Sequence, residues 1–368
     1  MRNNFNEKSW QDYLQSELLA LKEILAEHNY VLDSHQPHIL GERFLMQNIT
    51  TKSGSKIILI GKNKDNIRVV IKATRDKTGK IELQHEKECR SLLNKINFTY
   101  RRFHTPVELD FWEQDNFMIS VQKYIEQECA FLDRPVKDQF KYALTGFKTQ
   151  ESAHATTESH YRKIASTFGI RNSIDYKNIT NTLVAKINKN TESPTEVLET
   201  IHVAQEKILS NLERIEQYCG FLTHTDFVPH NFRINDDTIY LLDSSSLEFG
   251  NKHESWARFL NFMTLYNYEL ENLLVTYVEQ NRSVEERESL QLMRLYRLIE
   301  IITYYTKTLD QSEGDLRQLN KTRVHFWNSV LSAELKNERV SRSVVTTYKA
   351  TRDGLRSESE KKRQINLH

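Results

Sequence analysis

In residues 9–28, Trp10, Leu14, Leu18, Leu21 and Leu25 fall at helical spacing with charged positions between them. That pattern predicts an amphipathic helix docked on the body of its own chain. From about residue 40 to 121 the period shortens. FLMQNITT, KIILIGKN and NIRVVIKAT are short β-branched runs separated by KSGS and NKDN, both of which suit hairpin turns. A helical stretch, LQHEKECRSLLNKI, follows, and then two more strand-like pieces, FTYRRFHTPVEL and NFMISVQKYI. The predicted order is β-β-β-α-β-β, an antiparallel sheet with one inserted helix.

From about 130 onward the pattern is helical. The best-marked helix starts at SPTE, with Ser193 as N-cap, Pro194 in the first position and Glu196 three residues after the cap. Val197, Leu198, Ile201, Ile208, Leu212 and Ile215 form its apolar stripe, and Gly220 is its expected stop. Helical periodicity resumes from about 254 to 336. Residues 145–192 are polar and poorly periodic, which predicts loop and short helix. Beyond Arg339 basic residues outnumber acidic ones, and the segment reads as a flexible, solvated tail, with an anionic partner as the sharper alternative.

Composition narrows the class. Lys+Arg 51 against Asp+Glu 50 in 368 residues leaves a net charge of +1, which offers no global argument for a nucleic-acid or membrane partner. Ten Gly and five Pro fit a mostly helical chain. Cys89, Cys129 and Cys219 are scattered, with no CxxC pair, so neither a disulfide framework nor a structural zinc is expected. The first residues, MRNNFNEKSW, lack the apolar region of a secretory signal, and no apolar run nears the roughly 20 residues of a membrane span. The expectation is a soluble, cytoplasmic protein of undetermined oligomeric state.

Candidate chemistry concentrates in THTDFVPHNFRINDDTIYLLDSSS, Thr223 to Ser246. NFRI and TIYLLD read as two strands joined by a tight turn, which brings Asn231, at the start of one, near Asp243, at the end of the other. Two oxygen ligands there suit a hard cation such as Mg²⁺, which keeps waters and takes its remaining ligands from phosphates. Asp226, five residues before Asn231, sits on the same rim and can orient a hydroxyl and accept its proton.

Upstream, VVIKA places Lys72 on a half-buried strand, where its charge needs an anion. The next helix offers Glu86 and Glu88. The turn Lys52-Ser53-Gly54-Ser55 can fold over phosphates, and no Walker A loop is present.

In order, a Gly-containing turn, a strand lysine, a helix glutamate, a YIE hinge, HxDxxxxN and a strand-end Asp resemble the protein-kinase-like fold. Within it they are similar to the aminoglycoside phosphotransferase and choline kinase group, over roughly residues 40–335. The resemblance implies ATP and Mg²⁺ as cofactors. Lys72 would grip the α/β-phosphates, Glu86 would pair with Lys72, and Ser53, Gly54 and Ser55 would cover the phosphates. Gln122-Lys123-Tyr124-Ile125-Glu126 would be the hinge, with the backbone of Lys123, Tyr124 and Ile125 meeting adenine. His224-Thr225-Asp226 through Asn231 resembles the catalytic loop, with His224 and Asp226 as catalytic residues, Asp226 being the base. Asn231 and Asp243 would bind the metal.

The implied architecture is α+β and bilobal: an N-terminal helix and linker (1–35), a β-rich ATP-binding lobe (36–121), a hinge (122–126), a helical lobe with the substrate site (127–338) and the basic tail (339–368). Departures carry information. Val228 stands where protein kinases carry a catalytic-loop lysine, Asp243 is followed by Ser244-Ser245, and no APE-like triplet appears. Little chain separates Asp243 from the helix near Glu254, which favours a small-molecule hydroxyl acceptor over a protein. Arg258 occupies a place where the aminoglycoside group usually has an aspartate, and can replace it by bonding the catalytic loop. Glu248 and Glu254 are candidate acidic residues for a cationic acceptor. Two other classes compete: a nucleotide-binding pseudokinase acting as an interaction module, and a nucleic-acid-associated protein working through its tail.

Overall fold

A computed structural model describes residues 10–34, 56–95, 104–154, 157–190, 194–309 and 312–356. The N-terminal part holds α1 (Trp10–Glu27), β1 (Val31–Leu32), β2 (Ile57–Lys62), β3 (Arg68–Thr74), α2 (Lys77–Lys95), β4 (Glu108–Gln114) and β5 (Phe117–Lys123). The strands form one antiparallel sheet in the order β1-β2-β3-β5-β4. Alternation sorts its side chains. Ile57, Leu59, Val69, Ile71, Ala73, Phe117, Ile119 and Val121 are buried on one face with Leu21, Ile24 and Leu25 of α1. The expected docking of the first helix on its own chain is therefore met. The other face turns Lys72 and its cross-strand partner Ser120 toward α2 and the second lobe.

The C-terminal part begins with α3 (Val136–Glu151), α4 (Glu158–Phe168), α5 (Ser173–Asn188), α6 (Thr195–Leu209) and α7 (Leu212–Glu216). Four short strands follow: β6 (Phe221–His224), β7 (Phe232–Asn235), β8 (Thr238–Leu241) and β9 (Leu247–Gly250). The last helices are α8 (Glu254–Tyr266), α9 (Tyr268–Asn281), α10 (Val284–Leu309), α11 (Gly314–Leu335) and α12 (Arg342–Gly354). Helix α10 is the axle of this lobe, packing on α5, α6, α8 and α11, and α8 is buried from Glu254 through Leu265. Among the described residues no helix is long and apolar enough to cross a membrane.

The structure departs from the sequence reading in six places. The helix expected to run to Gly220 breaks at Ser210-Asn211, residues that compete with helical backbone bonds. Its N-cap is Pro194, while Ser193 lies outside the described residues. Residues 145–192 are largely helical. Their α5 opens with an Asn172–Asp175 capping box, and its buried stripe uses Tyr176 and Thr180 beside Val184 and Ile187. FLTH is a strand, β6, paired with β9 rather than a loop. The tail contains α12, which packs on α11 with Val345 and Tyr348 buried. Finally, Val31 and Leu32 add an edge strand to the sheet. FLMQNITT and most of FTYRRF fall outside the described residues.

Candidate active site

Lys72 sits mid-strand in β3, and its Nζ donates to Glu86 Oε1 of α2 at 2.6 Å. Glu86 is 1% exposed and also accepts from Arg90 (2.8 Å) and Gln122 (3.3 Å), while Arg90 in turn bonds Glu108. All three donors meet at Oε1, which offsets the buried charge, while Oε2 is buried with no hydrogen-bond partner among the described residues. The same Lys72 ammonium donates to the backbone carbonyl of Leu242 at 3.1 Å. That bond ties the sheet of one lobe to the residue just before Asp243 in the other.

The hairpin β7–β8 turns on Asp236-Asp237, both at positive φ (46° and 59°), as a two-residue turn of this hand requires. Leu242 N–H donates to the Asn231 carbonyl at 2.9 Å, so the two ends of the hairpin are fixed side by side as expected. Asp243 then caps a 3₁₀ turn, Ser244–Ser246. Its Oδ1 accepts from Ser245 Oγ (2.5 Å) and Ser245 N–H (3.2 Å), and its Oδ2 from Ser246 Oγ (2.8 Å). Burial opposes ionisation of this carboxyl, but Lys72, then His224 and the Ser245 hydroxyl, hold it below the usual carboxylate range.

Asp226 is pinned at both oxygens. Arg258 Nε donates to Oδ1 and Asn231 Nδ2 to Oδ2, each at 2.8 Å. Asn231 Nδ2 also bonds the Asp226 backbone carbonyl at 2.8 Å, which turns its own carbonyl oxygen the other way. Burial again opposes ionisation of Asp226, and the Arg258 guanidinium overrides it, keeping the group well below the ordinary carboxylate range. The Asp226 side chain remains 40% exposed, so it faces the cleft. Beneath the loop, Phe227 stacks on Phe232 and packs on Phe147 and Phe259. Gly146 is required there, since a Cβ would stand 2.7 Å from Phe227.

His224 differs from the expectation of a catalytic group. It is fully buried, and its Nε2 lies 2.8 Å from the Asp243 backbone carbonyl. A carbonyl only accepts, so Nε2 carries the proton, and burial lowers the ring's pKa. The ring positions Asp243 and does not reach the cleft. At the hinge, Lys123 N–H donates to Val107 (2.8 Å) and Tyr124 N–H to Arg68 (3.0 Å), while Arg68 also covers the Tyr124 ring at 4.2 Å. Those two amides are therefore engaged within the protein. Ser53, Gly54 and Ser55 lie outside the described residues.

Glu254 does not line the cleft. It is fully buried and accepts from Tyr176 (2.6 Å), Arg297 (3.2 Å) and Arg171 (3.3 Å). Glu248 pairs with Arg171 at 2.6 Å and is pushed up to about 7, chiefly by burial. Sequence reasoning missed Arg90 and the clamp of Ser245 and Ser246. Arg90 was legible as the residue four after Glu86, and the serines as the hydroxyls following Asp243.

A five-stranded antiparallel sheet with an inserted helix, a hinge strand and a helical lobe bearing this loop is the bilobal protein-kinase-like fold. No protein-family model and no curated protein matches the sequence. Solved structures do. One is amicoumacin kinase hAmiN in complex with AMP-PNP, Ca²⁺ and amicoumacin (TM-score 0.56, 12% identity, covering 90% of this chain and 97% of that one). A second is a thermostable mutant of aminoglycoside phosphotransferase APH(4)-Ia in ternary complex with ADP and hygromycin B (TM-score 0.54, 12% identity, 86% and 97% covered). A third is macrolide 2'-phosphotransferase MphH from Brachybacterium faecium (TM-score 0.52, 12% identity, 83% and 97% covered). At such identity the likeness is one of fold.

Proposed function

We propose that the protein transfers the γ-phosphoryl group of ATP to a hydroxyl of a small molecule of the amino-sugar, amino-alcohol or sugar class. The observation that carries this reading is the Lys72 ammonium, which bonds Glu86 in one lobe and the Leu242 carbonyl beside Asp243 in the other. That geometry delivers a phosphate-binding cation to the edge of an oxygen-ligand pair. Two of the three structural neighbours named above are complexes with ADP or AMP-PNP and a small molecule, which agrees with the reading.

Asn231 and Asp243 present amide and carboxylate oxygens, and this donor set fits a hard cation completed by phosphates and water. When bound, Mg²⁺ would neutralise charge on the transferring phosphoryl group. The chain's own residues do the rest. Lys72 binds phosphate oxygens while remaining against Glu86, and Ile125 N–H offers the adenine ring a donor. Asp226 accepts the hydrogen bond of the acceptor hydroxyl. As that oxygen bonds to the γ-phosphorus, the bond to the β-phosphate oxygen breaks and ADP leaves with its electron pair. The hydroxyl proton passes to Asp226. Its low pKa suits a late proton transfer in a loose transition state, where positioning dominates. His224 holds Asp243 through its backbone and Arg258 holds Asp226.

The short chain between Asp243 and Glu254, a 3₁₀ turn and β9, supports a small-molecule acceptor. No segment is left there to seat a protein substrate. Calorimetric titration with AMP-PNP in the presence and absence of Mg²⁺ tests the site: binding that depends on Mg²⁺ and is weakened by Asp243→Ala supports it, and no binding refutes it.

A further inference from the structure

Lys56 stands just ahead of β2, two residues before Ile58, and Ile58 pairs across the ladder with Lys72. Strand alternation therefore puts Lys56 and Lys72 on one face of the sheet as diagonal neighbours. Both reach the same helix. Lys56 Nζ lies 2.9 Å from Glu82 Oε2, and Lys72 Nζ lies 2.6 Å from Glu86 Oε1. Glu82 and Glu86 are four apart, on one face of α2. The result is two parallel Lys–Glu bridges between sheet and helix, side by side at the cleft.

The two bridges differ in permanence. Glu86 is buried and shared with Arg90 and Gln122, so Lys72 is fixed. The Glu82 side chain is 42% exposed and that of Lys56 22%; an ion pair open to water is weak and exchangeable. Burial works against the charge on Lys56, yet the bond to Glu82 and the fields of Asp243 and Glu86 raise its pKa, so it is a cation at neutral pH. Its charge is felt at Asp243, which Lys56 helps to keep ionised. The second lysine thus stands at the metal-ligand and phosphate end of the cleft, away from the hinge.

We propose that Lys56 is a second phosphate-holding lysine, whose ammonium leaves Glu82 for the β- and γ-phosphate oxygens when nucleotide binds while Lys72 stays with Glu86. The inference rests on the reading of the cleft as a nucleotide site. It makes Lys56 a residue that distinguishes polyphosphate from monophosphate, and it makes Glu82 a competitor for the lysine. Removing the two partners therefore has opposite effects.

Affinities of the full chain for AMP, ADP and AMP-PNP, with and without Mg²⁺, decide the matter in wild type, Lys56→Met, Glu82→Gln and Lys72→Met. Lys56→Met should weaken AMP-PNP and ADP by about tenfold or more, the loss of one charge-assisted bond. It should leave AMP within about twofold. Glu82→Gln should bind AMP-PNP as tightly as wild type or tighter, and Lys56→Arg should keep the preference for polyphosphates. Parallel weakening of all three nucleotides by Lys56→Met and Glu82→Gln would overturn the inference, because the pair would then only anchor α2. Loss of AMP-PNP binding in Lys72→Met with Lys56→Met unaffected would overturn it and leave the cleft reading standing. A wild-type chain that binds none of the three nucleotides would overturn both.

Discussion

Arg258 Nε donates to Asp226 Oδ1 at 2.8 Å, so the carboxylate proposed to receive the acceptor's hydroxyl is held ionised by a guanidinium from α8. Burial alone would raise the Asp226 pKa, and Arg258 reverses that shift. Arg258→Ala should raise the pKa of Asp226 and move the acid limb of the kcat/KM profile to higher pH. Arg258→Lys, keeping charge without the planar fork, should recover only part of the shift. An acid limb that does not move in Arg258→Ala would assign Arg258 a purely structural place.

Glu86 compensates two buried cations, Lys72 and Arg90. Glu86→Ala should therefore cost about 3–5 kcal/mol of stability, the penalty for breaking a buried ion pair on one side. Lys72→Met leaves Glu86 with Arg90 and should cost less stability while removing phosphate binding. Urea unfolding of both variants, with unchanged m, checks the order; equal destabilisation would contradict the shared-carboxylate account.

Acid should destabilise the fold through its buried histidines before Asp226 and Asp243 protonate. Burial lowers the pKa of His224 and His253 and brings His230 down to about 4. Each is harder to protonate in the folded chain than in the unfolded one, which takes up protons below about pH 6.5. These histidines bind more protons in the unfolded state, so they lose stability as pH drops from about 6.5 toward about 4, by up to about 1.4 kcal/mol per pH unit each, while Glu248, pushed up to about 7, offsets the loss from one of them. Asp226 and Asp243, with depressed pKa values, add a loss of stability below about pH 4. Urea midpoints at pH 7, 6 and 5 read this directly, and a flat series would exclude it.

Tyr348 of α12 is 4% exposed and stacks on Phe326 of α11 at 4.2 Å between ring centroids. Tyr348→Ala should cost about 3 kcal/mol or more. Thermal unfolding unchanged by this substitution would show that the helix adds nothing to the fold.

The legible parts of this chain were those where one residue type at one spacing leaves few options. VVIKA followed by Glu86, and Asp226, Asn231 and Asp243 around a hairpin, are such patterns, and the structure brings them together. The illegible parts depend on partners distant in sequence. FLTH reads as a loop until Leu247–Gly250 is known to pair with it. His224 reads as catalytic until its bond to the Asp243 carbonyl, 19 residues on, is seen. Helix α5 hid because Tyr176 and Thr180 share its buried face with aliphatics, and α12 because its polar length outweighs two buried side chains.

The most direct test measures Mg²⁺-dependent ADP formation from ATP across amino-sugar, amino-alcohol and sugar acceptors, with wild type beside Asp226→Asn, and AMP-PNP affinity measured for both. The account predicts acceptor-dependent turnover in wild type, a loss of about 10²–10⁴-fold in Asp226→Asn, and nucleotide binding retained in the variant. Turnover equal in the two proteins would contradict it.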